Sequence, residues 1–169
     1  MEAIAAGLYN GVPMADCVAA LKNFQNAGMR QNIFEHNGIG IIEDCYNAAP
    51  DSMRAAFTLL KQRRPSRIAV LSDMLELGGM SEQLHREVGA AAAESCDMLL
   101  AYGAQSKYTC EGAIAGGMPP ENVLWFDKRD PVVLQLKRLA KTGDSILFKG
   151  SRGMRMEQAL EMFFQQEKK

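Results

Sequence analysis

Three short segments carry residue types from which a small-molecule site can be built. Lys149-Gly150-Ser151-Arg152-Gly153 combines two cations, a hydroxyl and glycine backbone N–H groups just ahead of a predicted helix, a set suited to a carboxylate or phosphate. The same residues also make an ordinary glycine turn with solvated charges. Asp73-Met74-Leu75-Glu76-Leu77-Gly78-Gly79 offers two carboxylates, at Asp73 and Glu76, able to receive an amine or ribose hydroxyls, or else forms a solvated loop. Asp44-Cys45-Tyr46-Asn47-Ala48-Ala49-Pro50 packs an acid, a phenol and an amide into one linker. Such a linker can meet sugar hydroxyls or a base edge, although Asx-rich linkers are often plain turns.

Other chemistries lack their residues. Neither GxxxxGK(S/T) nor GxGxxG occurs, so the chain's own motifs assign it neither NTP hydrolysis nor NAD chemistry. Gly38-Ile39-Gly40 belongs to a hairpin rather than to a helix start. Cys17, Cys45, Cys96 and Cys110 are scattered without a CxxC pair and lie apart from His36 and His85, which argues against a zinc site or a disulfide framework. A lone His85 on a predicted helix reads as a satisfied surface or half-buried side chain rather than a catalyst. No ordered Ser/His/Asp or Cys/His triad is present. Most of the eleven methionines fall in amphipathic or apolar stretches and read as core filler.

Positioning these segments requires strands that end where they begin. Arg67 to Leu71, Met98 to Tyr102, Asn122 to Phe126 and Ser145 to Phe148 read as buried strands. Helical patterns fall at Glu82 to Glu94, Tyr108 to Ala115, Pro131 to Ala140 and Met154 to Gln166. Strand and helix in alternation imply a Rossmann-like α/β fold with a mainly parallel sheet flanked by helices, and ligands in such sheets bind beyond the strand carboxyl ends. Ahead of this unit, Gln31 to Glu35 and Ile39 to Glu43 flank His36-Asn37-Gly38 as a β-hairpin. Asp51 and Ser52 open a helix to about Gln62. Ala3 to Phe24 reads as two helices split at Asn10-Gly11-Val12-Pro13.

The chain has 169 residues, one ordinary domain or a domain with part of another. With 19 Lys+Arg against 20 Asp+Glu its formal net charge is −1, which disfavours a nucleic-acid or membrane-surface role driven by bulk charge. A composition of 47% hydrophobic and 23% charged residues is that of a folding, globular chain. No apolar run approaches the roughly 18 residues that span a bilayer, and the N-terminus lacks signal-peptide order. Cytoplasm is the expected compartment.

Taken in order, GIGIIEDCYNAAPDSM, RIAVLSDMLELG, LHREVG and LFKGSRGMRME resemble the C-terminal domain of the MurF-type muramyl ligases, the UDP-N-acetylmuramoyl-tripeptide:D-alanyl-D-alanine ligases. The resemblance covers nearly the whole chain. It implies that residues 1–28 are the helical tail of a central ATPase domain and that residues 29–169 are the C-terminal Mur ligase domain. A phosphate loop, the Mg2+ ligands and a UDP-sugar domain would then precede this sequence, so the chain alone would lack activity and catalytic residues of its own. In the parent, ATP and Mg2+ would activate the UDP-MurNAc-tripeptide carboxylate for attack by D-Ala-D-Ala, in peptidoglycan precursor synthesis.

The resemblance further implies that Arg30, Asp44, Tyr46 and Asn47 meet ATP: Arg30 at the phosphates, Asp44 at the ribose. It places Asp73, Glu76, Lys149, Ser151 and Arg152 toward the dipeptide. No metal ligand is implied within the chain, and neither nucleic acid nor membrane insertion is expected. The missing N-terminal and central domains would be its partners. Two positions depart from the family's usual pattern. Ala49 stands where YNANP has its second Asn, and Ser72 stands where a Gly usually precedes the aspartate. Another Mur-type amino acid ligase and a non-catalytic α/β binding module are the alternatives.

Overall fold

A computed structural model describes residues 2–22, 29–63 and 66–165. Six strands form one sheet in the order β1-β2-β6-β3-β4-β5. They are β1 (Asn32–His36), β2 (Ile39–Asp44), β3 (Arg67–Ser72), β4 (Met98–Tyr102), β5 (Val123–Phe126) and β6 (Ser145–Lys149). Among the described residues, only the β1–β2 pair is antiparallel, and every other pairing is parallel. The hairpin turn rests on Asn37 and Gly38, both at positive φ, the conformation that Asn-Gly supplies at least cost.

Helices α3 (Pro50–Lys61), α4 (Ser81–Ala93) and α5 (Ser106–Ala115) cover one face, and α6 (Arg129–Leu139) and α7 (Met156–Phe164) cover the other. The strands' period of two decides which side chain goes where. In β3, Ala69 and Leu71 point to the first core while Ile68 and Val70 point to the second. In β6, Leu147 opposes Ile146 and Phe148 in the same way. Strands buried on both faces must read as unbroken apolar runs, as β3, β4 and β6 do. The run Asn122 to Phe126, expected to be buried as well, is not: β5 is the edge of the sheet, its residues are only half-buried and Trp125 is exposed. Ahead of the hairpin lie α1 (Glu2–Tyr9) and α2 (Met14–Lys22). The predicted ends of α2 at Phe24 and of α7 at Gln166 lie outside the described residues.

Two elements differ from expectation for reasons that are not local. Helix α5 starts at Ser106, two residues before the predicted Tyr108, because the Asp73 carboxylate accepts from Gln105 N (3.1 Å), Ser106 N (2.7 Å) and Ser106 Oγ (2.7 Å). An anion at the orphan N–H groups of a first turn stabilises that turn. The close approach needs Gly103 at φ +119, since a Cβ there would strike that same carboxylate. The last helix starts late. A short 3-10 turn at Arg152–Met154 and left-handed Arg155 (φ 51) separate the glycine turn from α7, so Lys149 and Ser151 do not stand at an α-helix N-terminus.

Candidate functional site

Strands β3 and β6 are neighbours from which the chain leaves in opposite directions, so their carboxyl ends bound the crevice where open α/β sheets bind ligands. Three connections converge there: the linker after β2, the loop after β3 and the turn after β6. Hydrogen bonds from β6 and its turn hold them together. Lys149 Nζ donates to Asp44 Oδ2 (2.6 Å) and to the Asn47 carbonyl (3.0 Å). Two residues on, Ser151 Oγ accepts from Leu75 N (2.9 Å) and donates to the Ala48 carbonyl (3.3 Å), while Ser151 N donates to the Asp73 carbonyl (3.2 Å).

The linker 46–49 therefore stands as a wall between two cavities. On one side, about 360 Å³ is lined by Arg30, Asp44, Tyr46, Asn47, Ser52 and Lys149, among others. On the other, about 370 Å³ is lined by Tyr46, Asn47, Leu75, Glu76, Ser151 and Arg152, among others. Tyr46 and Asn47 line both. The Arg30 guanidinium lies 4.0 Å over the Tyr46 ring, a cation–π contact worth about 0.5–1 kcal/mol at an exposed site.

The first cavity brings together a carboxylate, cations and amide and hydroxyl groups, the residue types that sugar hydroxyls and phosphates require. Asp44 supplies a buried carboxylate whose Oδ1 is engaged only by a long contact from Gln31 N (3.4 Å) among the described residues. A carboxylate held in place by Lys149 can still accept a hydroxyl, and Arg30 can swing to a phosphate. Among the described residues, no group of three or more His, Cys, Asp or Glu side chains gathers as a metal site.

The second cavity is zwitterionic. Glu76, held at φ 65, and Arg152 face it from opposite loops, and both are exposed. Arg152 lies 4.0 Å from Glu157 and 3.7 Å from the Met29 sulfur. The structure divides the sequence-derived residues unequally. Arg30, Asp44, Tyr46 and Asn47 come together on one wall, and Glu76, Ser151 and Arg152 on the other. Lys149 lies in the first cavity, not the second, with its ammonium spent on Asp44. Asp73 is buried and spent on α5, so it faces neither cavity.

Two residues that the sequence reads only as a helix opener and a satisfied helical side chain support the site. Ser52 accepts from Ala49 N (3.0 Å) and fixes the end of the wall; a Ser three residues after a helix start signals this reach-back. His85 is completely buried rather than half-buried. Its Nε2 accepts from Met74 N (3.0 Å), while Nδ1–H donates to the Ser81 carbonyl (2.7 Å). No local signal distinguishes it from a surface histidine.

Burial pushes the thiols of Cys96 and Cys110 up to about 12 and that of Cys45 higher still, leaving them protonated. Burial likewise raises the Tyr102 phenol to about 12, and its hydroxyl donates to the Met154 carbonyl (3.0 Å).

Residues 29–152 match the family described as Mur ligase, glutamate ligase domain. The UDP-N-acetylmuramoyl-tripeptide–D-alanyl-D-alanine ligase of Bacillus subtilis is 36% identical over 165 residues, which are 95% of this chain and 36% of that protein. Among solved structures, MurF from Acinetobacter baumannii superposes with a TM-score of 0.83 at 33% identity, over 93% of this chain and 35% of that one. MurF ligase from Thermotoga maritima, solved in complex with ADP, gives 0.79 at 26% identity, over 95% and 35%. The chain thus spans about a third of the length of these relatives. With two cavities at the strand carboxyl ends and a family match over most of its length, this chain belongs to the Mur ligases, through their C-terminal glutamate ligase domain.

Proposed function

We propose that the chain is the C-terminal domain of an ATP-dependent amide ligase that adds D-Ala-D-Ala to UDP-MurNAc-tripeptide in the cytoplasm. The observation that carries this reading is the pair of cavities on the two sides of the 46–49 wall. One suits a nucleotide, the other a small zwitterion, and a ligase of this kind must bring both to one acyl group. Residues 1–28 belong in this reading to the preceding ATPase domain and residues 29–169 to the C-terminal domain. The body of the ATPase domain, with a phosphate loop and the ligands for Mg2+, is supplied in this reading by a longer protein, so the 169 residues alone do not turn over.

The chain's own residues bind and orient. Asp44 accepts a ribose hydroxyl, Arg30 leaves Tyr46 for the nucleotide phosphates, and Asn47 and Tyr46 border the same nucleotide. Across the wall, Arg152 holds the dipeptide carboxylate and Glu76 holds its ammonium until it deprotonates for attack. The tripeptide carboxylate takes a phosphoryl group from ATP. The dipeptide nitrogen then forms the C–N bond as phosphate leaves, the nitrogen shedding its proton. Holding two reactants in line supplies much of the rate of such a step.

The test uses the full-length protein with ATP, Mg2+ and UDP-MurNAc-tripeptide, offering D-Ala-D-Ala, D-Glu, L-Lys or diaminopimelate in turn while ADP release is followed. Turnover with the dipeptide and background with the single amino acids supports the reading. Turnover with a single amino acid alone makes the protein another ligase of the family, and no turnover with any acceptor makes it a binding module.

A further inference from the structure

His85 touches neither cavity, yet its ring is the inner support of the loop that lines one of them. The side chain is fully enclosed at the start of α4. A backbone N–H can only donate, so the 3.0 Å contact from Met74 N makes Nε2 an unprotonated acceptor. The proton is then on Nδ1, where the Ser81 carbonyl accepts it at 2.7 Å. The Ser81 hydroxyl in turn meets Gln105 Oε1 (3.2 Å), beside the α5 start that Asp73 organises. One neutral tautomer thus joins the helix to the loop.

From Met74 the chain runs directly to Leu75, Glu76 and Leu77, which line the zwitterionic cavity. Met74 is itself buried, and Leu75 N is held by Ser151. Glu76 follows at φ 65, a left-handed conformation that a non-glycine residue keeps only when its neighbours fix it. Two consecutive amides, bonded to His85 from inside and to Ser151 from the opposite loop, supply that constraint.

We propose that His85, as the Nδ1–H tautomer, is a positioning residue for the acceptor site: it sets the Met74–Leu77 backbone and thereby aims Glu76 at the amine of the incoming dipeptide. The inference rests on the ligase reading above. It assigns His85 no contact with substrate and no role at the nucleotide wall.

The full-length protein provides the test, with His85→Leu and His85→Gln compared. Glutamine can place Oε1 near the position of Nε2 and accept from Met74 N, and leucine cannot. Losing one buried acceptor is expected to raise the dipeptide KM roughly tenfold in His85→Leu. The ATP KM should stay within about twofold, and His85→Gln should recover most of the loss. A normal dipeptide KM in folded His85→Leu, equal losses for both substrates, or a His85→Gln variant as impaired as His85→Leu would each overturn the proposal.

If the leucine variant does not fold, the 169-residue chain with 15N-labelled histidine decides. A spectrum with Nε2 protonated overturns the assignment; an unprotonated Nε2, together with near-normal kinetics of His85→Gln, upholds it. Failure of the ligase reading is seen separately, as a wild-type protein that does not use the dipeptide at all.

Discussion

The Lys149 ammonium lies 2.6 Å from Asp44 Oδ2, with 105 positions of sequence between the two residues and both side chains buried. Neither charge is free to act alone. Lys149 neutralises the carboxylate that faces the first cavity, and with its second bond, to the Asn47 carbonyl, it anchors the wall between the two cavities. In the proposed reading the dipeptide carboxylate is then left to Arg152.

Truncating one partner should therefore unfold the domain more readily than it changes recognition. Lys149→Met leaves a buried carboxylate uncompensated and is expected to lower stability by about 3–5 kcal/mol, with Asp44→Asn/Lys149→Met losing less than the sum of the single changes. Urea denaturation of the 169-residue chain measures this. A loss below about 1 kcal/mol would show the pair to be effectively solvated.

Ala49 gives a prediction of the opposite sign. It occupies the N-cap of α3 at φ −140, ψ 157, the extended conformation that capping residues adopt, but has no side chain to cap with. Ala49→Asn, restoring the amide usual in the family pattern, should accept from the first-turn N–H groups and raise stability by about 1 kcal/mol. An unchanged or lower thermal midpoint would mean that Asn at this position turns outward to the cavities instead.

What the sequence made legible, and what it did not, follows from the range of the interactions. The β-hairpin, the apolar strands and the order of helices rest on periods of 2 and 3.6 and on turn residues, all local, whereas the edge position that leaves β5 half-buried is set by the sheet order and has no local signal. Arg30, Asp44, Tyr46 and Asn47 could be grouped because most of them share one linker. Lys149 and Asp73 could not be assigned: a charged residue at a strand end reads the same whether its partner is a ligand, a side chain 105 residues away or an amide 33 residues away. His85 is the same case in reverse, a solitary histidine whose partner, the Met74 amide, comes from the loop after β3. Ser72 was legible only as a departure from a pattern. Its Oγ is buried without a partner among the described residues, packed where Gly150 passes.

Away from the site, pH tests one surface contact. Arg67 both hydrogen-bonds and attracts Asp97, with Nη2 to Oδ1 at 2.8 Å and Nε to Oδ2 at 3.1 Å, and holds its carboxyl below the usual aspartate range. A carboxyl whose pKa is lower in the folded chain than in the unfolded one adds stability above the unfolded value, near 4, and loses it as pH falls through the folded value. Asp97→Asn should therefore be less stable than wild type at pH 7, by no more than about 1 kcal/mol because the pair is half in water. The gap should close below pH of about 4. A gap that persists into stronger acid would mean that the asparagine disturbs the β3–β4 contact itself rather than removing a charge.

The separation of the two cavities by the Tyr46–Ala49 wall is tested most directly by steady-state kinetics on the full-length protein carrying Arg30→Ala or Arg152→Ala. Both side chains are exposed, so neither change should cost the fold. Arg30→Ala is expected to raise the KM for ATP and spare that for D-Ala-D-Ala. Arg152→Ala should do the reverse, by the roughly 1.5–3 kcal/mol of a charged hydrogen bond, or about 10- to 150-fold. Both variants weakening both substrates alike, or Arg152→Ala leaving the dipeptide KM unchanged, would contradict it.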